Sequence, residues 1–286
     1  MPGLFQSADR ESLRAQNQYL SRRRFELMLL VGAAVCALAD TKLHLFNLTV
    51  VPGSILAGIL FLAAGLLEAS VFTVRPERIW YQGRALAEST KTLVWRYAMM
   101  ANPFQAGAPD SDSVLRQRLR QVVEEFPSLK STPIVDVDAE ITPWMRATRS
   151  SSLAVRREIY KNERIEDQRR WYSFKAVWNR RRARIWGLAA VGLQVIGMAA
   201  GFARGFNLET LDLLSVIAVI ATVAVAWLQI KQHTTLAQTY EVAAADLSTI
   251  LRLFPDTNDE TAWGVFVDEA ENAISREHTT WLARRT

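Results

Sequence analysis

Residues 185–203 read IWGLAAVGLQVIGMAAGFA and contain no charged side chain. A second apolar run, residues 211–230, has one charge, Asp212, near its start, and only seven residues separate the two runs. A helix of about 20 residues crosses the ~30 Å hydrocarbon core of a bilayer. The two runs therefore predict a pair of transmembrane helices joined by a short turn.

A less regular pair of apolar runs occupies residues 27–46 and 50–74. The first is free of charge only over residues 27–39, and it spans a membrane only by continuing through Asp40 and Lys42, whose long side chain can reach the far interface. The other interpretation is that this run is a buried helix of a soluble core. With both pairs counted, the sequence predicts an all-α membrane protein with four transmembrane helices in two hairpins.

Half of the residues are hydrophobic, 22% are charged, and the formal net charge is +5. In a membrane protein this positive charge favours anionic lipid headgroups as the partner, and no base-reading motif points to nucleic acid. Cys36 is the only cysteine, which excludes a disulfide framework. His278 shares a helix face with Glu271, but no second imidazole is near enough to predict a metal site. Because no nucleotide-binding loop or nucleophile motif is present, we expect neither a cofactor nor an enzymatic activity.

The chain outside the apolar runs also has helical spacing. We expect helices over residues 7–24, 79–100, 114–126, 144–203 and 260–283. Asp9 would cap the first, and Asp112 or Ser113 the third. The helix 144–203 would include the third span, and the fourth span would continue to residue 253. Residues 127–143 read as a loop. The long helical extensions would form a cytosolic bundle or coiled coil with aromatic side chains in its core. This organisation predicts a first unit at 1–103, a linker at 104–143 and a second unit at 144–286.

Basic residues are concentrated at one end of the apolar runs. These collar residues include Arg22, Arg23, Arg24, Arg75, Arg180, Arg181, Arg182 and Arg184. The two short turns at the other end carry only Lys42 and Arg204. Because positive charge is retained in the cytoplasm, both termini and the central segment are predicted to lie inside. We therefore expect a multi-pass protein of the plasma membrane with almost no external part.

Small residues recur at four-residue spacing in the second hairpin. Gly197 and Gly201 form a GxxxG pair, and Ala218, Thr222 and Ala226 form a stripe on the next helix. Small residues let membrane helices approach closely. The contacts could be made within the four-helix unit or between the subunits of an oligomer, and the pattern alone does not decide between them.

Two polar side chains in the apolar runs, besides Thr222, are candidates for a water-filled path. Glu68 lies about 10 Å before the collar at helical rise, and it could either favour cations in a pore or pair with a collar arginine. Gln194 is in the middle of its run and could bond a neighbouring helix or line a pore. In the water-facing part, the dense charges of residues 163–170 predict a solvated, salt-bridged helix face, or else a surface for a partner.

Two stretches next to the second hairpin are distinctive: residues 160–172, YKNERIEDQRRWY, and residues 271–281, ENAISREHTTW. They resemble the SLATT family, the SMODS- and SLOG-associating two-transmembrane effector domains of bacteria. The residues that carry the resemblance are Tyr160, Arg164, Gln168, Trp171, Tyr172, Glu271, His278 and Trp281. Residues 87–97, AESTKTLVWRY, look like part of a second, divergent SLATT unit, so two units are expected in tandem.

The resemblance implies a bacterial inner-membrane effector of anti-phage or conflict systems. It implies that a separate nucleotide-sensing or nucleotide-producing protein supplies the signal, and that the effector, as a homo-oligomer in membrane lipid, opens a pore or depolarises the cell. The alternative is a non-conducting membrane scaffold whose cytosolic bundle recruits a partner. The resemblance supplies no catalytic residues.

Overall fold

The structure, a computed structural model, describes residues 1–39, 41–45, 48–108, 110–126, 129, 141–206 and 212–283. The described chain is almost entirely helical. Its helices are α1 Gly3–Ala37, α2 Pro52–Val74, α3 Pro76–Ala98, α4 Ser111–Glu124, α5 Pro143–Ser150, α6 Leu153–Ile159, a π-helical segment Tyr160–Glu166, α7 Asp167–Gly205, α8 Leu213–Lys231, α9 His233–Arg252 and α10 Glu260–Ala283. Two three-residue strands, β1 Leu43–Leu45 and β2 Leu48–Val50, pair antiparallel between α1 and α2.

Three helices are long and apolar enough to cross a membrane: Pro52–Ala98, Leu153–Gly205 and Leu213–Arg252. Only 12%, 6% and 11% of their apolar windows are buried inside the chain. Apolar surface left uncovered on this scale requires lipid or another apolar partner. The chain is therefore an all-α membrane protein, and its apolar runs 50–74, 185–203 and 211–230 lie within these three helices.

The first predicted span, 27–46, is wrong in its extent. The helix that contains it begins at Gly3, so Asp9 lies inside α1 and does not cap it, and α1 ends at Ala37. Residues 43–45 are in β1, which pairs with β2 in the register Leu43 with Val50. Charges at Asp40 and Lys42 interrupt the apolar run. Among the residues that the structure describes, α1 is not one of the helices that are long and apolar enough to cross a membrane.

The predicted single helix over 144–203 is also wrong. α5 starts at Pro143, with the Thr142 side chain accepting a hydrogen bond from the Met145 backbone N–H at 3.3 Å. The backbone is extended at Ser151 and Ser152, so α5 ends and α6 begins there. Serine side chains compete for backbone hydrogen bonds, which favours such a break. From Leu153 to Gly205 the helix is then continuous, through the π-helical segment.

The remaining helix predictions differ from the structure in detail. α4 is capped by Asp110, whose side chain accepts from the Ser113 N–H at 3.1 Å, so neither predicted cap residue is the cap. The continuation of the fourth span is interrupted at Gln232, which has a left-handed backbone between α8 and α9. α10 has the predicted bounds. The predicted loop 127–143 lies mostly outside the described residues, as does most of the turn 204–210.

The chain divides into two compact units that are not consecutive halves. The first, here called the bundle unit, contains Met1–Gln16, Pro76–Ala176 and Gln238–Thr286. The second, here called the membrane unit, contains Asn17–Arg75 and Val177–Ala237, and the three apolar runs lie in it.

Two groups of buried side chains form the core of the bundle unit. One contains Trp95, Tyr160, Tyr172, Leu247 and Trp263 with their neighbours. Trp95, Tyr160 and Tyr172 confirm the predicted aromatic core. The other is built around Leu4, Leu86, Tyr97, Phe104, Leu115, Leu119 and Met145. Fully burying a large apolar side chain contributes about 1.5–3 kcal/mol, so these clusters account for much of the stability of the bundle.

Candidate functional site

Arg164 and Glu271 form an ion pair inside the bundle unit. The Arg164 side chain is 1% exposed and the Glu271 side chain is 0% exposed. Arg164 Nε donates to Glu271 Oε1 at 2.7 Å, and Nη2 donates to Oε2 at 2.6 Å. This two-pronged geometry is the strongest that arginine and a carboxylate can form.

Two further hydroxyl groups complete the coordination of the Glu271 carboxylate. Tyr160 donates to Oε1 at 3.0 Å, and Thr92 donates to Oε2 at 3.0 Å. Each carboxylate oxygen thus accepts two hydrogen bonds, which satisfies a charge that would otherwise be costly to bury. The carboxylate has no remaining position for a metal ion, and no group of three His, Cys, Asp or Glu side chains in the described ranges could hold one.

Gln168 extends the pair into a network. Its Oε1 accepts from Arg164 Nη1 at 2.9 Å and from Lys91 Nζ at 3.2 Å, and its Nε2 donates to the Tyr172 hydroxyl at 3.3 Å. Below we call these side chains the Glu271 network: Lys91, Thr92, Tyr160, Arg164, Gln168, Tyr172 and Glu271. The network joins three elements: α3, the π-helical segment with the start of α7, and α10.

The local structure explains how one stretch of chain supplies four members. Tyr160, Arg164, Gln168 and Tyr172 follow one another at four-residue spacing, through the π-helical segment Tyr160–Glu166 and into α7. Side chains four residues apart share a helix face. The wider π turn is rare and occurs frequently at functional sites.

The predicted solvated face over 163–170 is therefore wrong for Arg164 and Gln168. Both are buried, whereas Glu163, Asp167 and Arg170 are exposed as predicted. The sequence did contain the relevant signal, since a tyrosine stands at each end of the buried four-residue stripe. Thr92 and Lys91, by contrast, carried no sequence signal of their own, because their partners are 179 and 77 residues away.

The environment of the network changes the pKa of several members. Burial alone would lower the pKa of Arg164, but attraction and hydrogen bonds from Glu271 outweigh it, and the pKa lies above its ordinary value. Burial and then the Glu271 charge raise the pKa of Tyr160 well above its ordinary value. Burial lowers the pKa of Lys91, against the attraction of Glu88. Arg164 and Tyr160 thus keep their protons at neutral pH, and neither can act as a base.

Three residues that carry the resemblance lie outside the Glu271 network: Trp171, His278 and Trp281. Trp171 is 38% exposed, next to the buried Tyr172, and its ring meets that of Tyr240 with centroids 5.5 Å apart. The side chains of His278 and Trp281, within α10, lie outside the described part of the chain.

In the membrane unit, Glu68 is paired with a collar arginine. Arg23 Nη1 donates to Glu68 Oε2 and also to Glu26 Oε2, at 3.0 Å for the latter. Of the two interpretations of Glu68, the structure contains the ion pair with the collar. Glu26 completes this group, and sequence analysis gave it no role.

The glycine pair of α7 faces the neighbouring helix of its own hairpin. A Cβ atom added at Gly197 would lie 3.3 Å from Ile217 Cγ2, and one at Gly201 would lie 3.8 Å from Leu214 Cδ2. On α8, however, Ala218 and Thr222 are exposed, and Ala226 is half-buried. The hydroxyl of Thr222 donates to the Ala218 carbonyl of its own helix at 2.9 Å. The GxxxG pair thus packs within the chain, whereas most of the α8 stripe does not.

The remaining collar residues lie largely at the surface. Arg22 is half-buried, and the other six are exposed: Arg24, Arg75, Arg180, Arg181, Arg182 and Arg184. The Arg182 guanidinium lies 5.2 Å from the centre of the Trp178 ring. Gln194 lies in the middle of its apolar run, and the structure gives its amide no hydrogen-bond partner among the described residues.

His233 is a buried residue to which sequence analysis gave no role. It begins α9, directly after the left-handed Gln232, and its Nδ1 lies 2.8 Å from Asn179 Oδ1 on α7. Since an amide oxygen only accepts, Nδ1 carries the proton and donates. Burial, followed by repulsion from Lys231 and Arg182, lowers the pKa of His233. The imidazole is therefore neutral at pH 7, and it ties α9 to α7 beside the membrane runs.

Comparison with known families assigns nearly the whole chain. Residues 2–157 match the family model for SMODS and SLOG-associating 2TM effector domain 3, and residues 160–281 match the model for domain 1. The chain belongs to the SLATT family. The prediction of two SLATT units in tandem is confirmed. No curated protein and no solved structure matches the chain.

The two SLATT matches meet immediately before Tyr160. Lys91 and Thr92 lie in the first match, and the other five members of the Glu271 network lie in the second. The network is therefore made jointly by both SLATT domains. Its hydrogen bonds join helices of the two domains.

Proposed function

We propose that this chain is a bacterial inner-membrane effector that forms an oligomer and permeabilises or depolarises the membrane on a signal from a separate protein. The SLATT domains and the apolar helices support the broader part of this proposal, a membrane effector of SMODS- and SLOG-associated systems. The basic collar supports an orientation with both termini in the cytoplasm. The proposal includes four spans, although α1 is not among the three described helices that are long and apolar enough to cross a membrane; its apolar residues 27–37 would complete the first hairpin.

The observation that carries the proposal is the composition of α7. This single helix of 39 residues contains Gln168 and Tyr172 of the Glu271 network and, further along, the whole apolar run 185–203. A change in the packing of the network displaces the start of the same helix that enters the membrane. A packed core has discrete arrangements and does not deform continuously, so such a shift is a step between two states.

The partner that we propose is a nucleotide-sensing or nucleotide-producing protein, as the SMODS and SLOG associations of the family suggest. It acts on the bundle unit, which contains the network. In the resting state the network is closed, as in this structure. The signal stabilises a second arrangement of the bundle, and its binding energy must favour that arrangement over the resting one.

A bacterial host that overproduces the full chain tests the proposal directly. We expect growth arrest together with a loss of membrane potential, measured with a potential-sensitive dye, at expression levels at which a chain truncated before residue 153 leaves the potential intact. Purified chain in vesicles loaded with a self-quenching dye should likewise release the dye. A host that retains its potential with the full chain in its membrane would overturn the pore and favour the non-conducting scaffold.

A further inference from the structure

The amide of Gln194 lies at the centre of a 19-residue apolar run. Nine residues of the run precede it and nine follow, so at a rise of 1.5 Å per residue it lies about 14 Å from either end. No hydrogen-bond partner for its side chain occurs among the residues that the structure describes. In hydrocarbon, where no water is available, an amide without a partner costs several kcal/mol.

Several residues near Gln194 form a face that the described part of the chain leaves uncovered. The face contains Gly187, Val191, Gln194 and Met198. Their spacings of four, three and four residues are typical of a contact between two helices. Val191 is 56% exposed and Met198 is 58% exposed, and nothing lies within 4 Å of a Cβ atom added at Gly187. The adjoining side of α7 contains the buried Ala190 and also Gly197, which packs against Ile217 of α8.

We propose that this face of α7, here called the Gln194 seam, binds the same seam of a second copy of this chain. The inference rests on the proposed function, because it names the contact through which the effector assembles. Copies inserted in the same orientation place their Gln194 amides at the same depth. An amide both donates and accepts hydrogen bonds, so the Gln194 side chains of two copies can bond each other. Within the apolar run, no charged side chain lies on the seam to oppose the contact.

A second copy fits better than the other possible occupants. Lipid tails cannot bond the amide, and water does not reach the centre of the hydrocarbon core unless a pore is already open. An unrelated membrane protein would have to place a polar group at this one depth, whereas a copy of the chain does so by symmetry. Below the run, Arg180 and Arg184 lie on the same side of α7, in the layer where anionic headgroups offset repulsion between copies.

Cysteine cross-linking in reconstituted vesicles tests the seam. In a Cys36→Ser background, single cysteines replace Val191, Met198 or Ile196, which are 56%, 58% and 55% exposed. Ile196 is a matched control, because it is equally exposed but on the opposite side of α7. We expect oxidation to give a covalent dimer at positions 191 and 198 and little at 196. Equal cross-linking at all three positions, or none at 191 and 198, would overturn the seam.

A second variant tests the amide itself. When it is added to the Met198→Cys variant, Gln194→Leu should lower the cross-linked fraction at equilibrium by roughly three- to tenfold, the usual range for one hydrogen bond between membrane helices. Gln194→Asn should lower it less, and Ile196→Leu should leave it unchanged. Cross-linking that is insensitive to Gln194→Leu would overturn the role of the amide.

The cross-linking and dye-release experiments together distinguish a failure of the seam from a failure of the proposed function. Cross-linking at positions 191 and 198 in vesicles that retain their dye would leave the seam standing and overturn the pore. Dye release from vesicles in which only position 196 cross-links would support the pore and overturn the seam.

Discussion

Arg164 donates two hydrogen bonds to Glu271, although 107 residues separate them and both side chains are buried. Arg164 lies on the helical chain that leads into the second membrane hairpin, and Glu271 lies on the last helix of the chain. A buried ion pair of this kind contributes less to net stability than its attraction suggests, because both charges lose their hydration. We expect a clearer effect on specificity, because a shift in the register of these helices would separate the two charges.

Removal of one partner should be strongly destabilising. Glu271→Leu leaves the Arg164 guanidinium buried without its carboxylate, and such a change typically costs about 3–5 kcal/mol. We expect a large fall in the thermal unfolding midpoint of the chain in nanodiscs, measured by circular dichroism.

The double variant Arg164→Met with Glu271→Leu is the control for this prediction. It removes both charges and retains side chains of similar volume, so it should recover most of the lost stability. A double variant as unstable as Glu271→Leu would show that packing, and not the uncompensated charge, is responsible.

Thr92 and Thr90 provide a matched pair on α3. Thr92 donates to Glu271 at 3.0 Å, whereas Thr90 is 0% exposed and its hydroxyl has no partner within the described residues. Thr92→Val should lower the free energy of unfolding by about 1.5–3 kcal/mol, the usual contribution of a hydrogen bond to a charged group. Thr90→Val removes a hydroxyl that gains nothing from burial and should be neutral or stabilising. Equal losses in the two variants would argue against the hydrogen bond in the network.

The stability of the chain should depend on pH through Lys91. Burial lowers the pKa of this ammonium in the folded state below its ordinary 10.5. The unfolded chain therefore binds more protons between the two pKa values, so the Lys91 contribution to stability rises with pH in that window and is constant below it. Lys91→Met removes the effect. The unfolding midpoint of the wild type, relative to that of Lys91→Met, should rise as the pH approaches 10.5, and a falling difference would contradict the assignment.

In the membrane unit, Arg23 should be far more important than Arg204. Arg23 bonds both Glu26 and Glu68 and its side chain is 21% exposed, whereas Arg204 bonds Asp212 and is 53% exposed. Exposed pairs contribute about 0–1 kcal/mol. We expect Arg23→Gln to reduce the amount of folded protein recovered from membranes, and Arg204→Gln to leave it close to the wild type. A loss of similar size in both variants would mean that the Arg23 group has no special role.

Glu68 should not determine which ions pass. Its carboxylate is held in an ion pair with Arg23, which weakens its attraction for cations. In planar bilayers, Glu68→Gln should leave the ratio of potassium to chloride permeability unchanged, as judged from the reversal potential in a salt gradient. A shift of the reversal potential towards chloride would place Glu68 in the conducting path and contradict this prediction.

Prediction from the sequence succeeded where a single helix carries its own signal. The apolar runs of α2, α7 and α8 and the bounds of α10 follow from composition and local spacing, because length and apolarity are properties of one segment. The prediction failed where a competing local structure, or a residue far away in the sequence, determines the conformation or the burial of a residue. Ser151 and Ser152 break the expected long helix, the strands around residue 45 replace the end of the first span, and Arg164 is buried by a carboxylate 107 residues away.

The sequence by itself determined that this is a helical SLATT protein with apolar runs for a membrane and a basic collar at one end of them. Those properties depend on hydrophobicity, charge and short spacings, which act over one helix. Only the tertiary structure decided that Glu271 binds Thr92, Tyr160 and Arg164, that Glu68 is paired, and that Gln194 has no partner among the described residues. Each of those outcomes depends on which helices lie side by side, and the energy of a buried polar group is set by the partner it meets there.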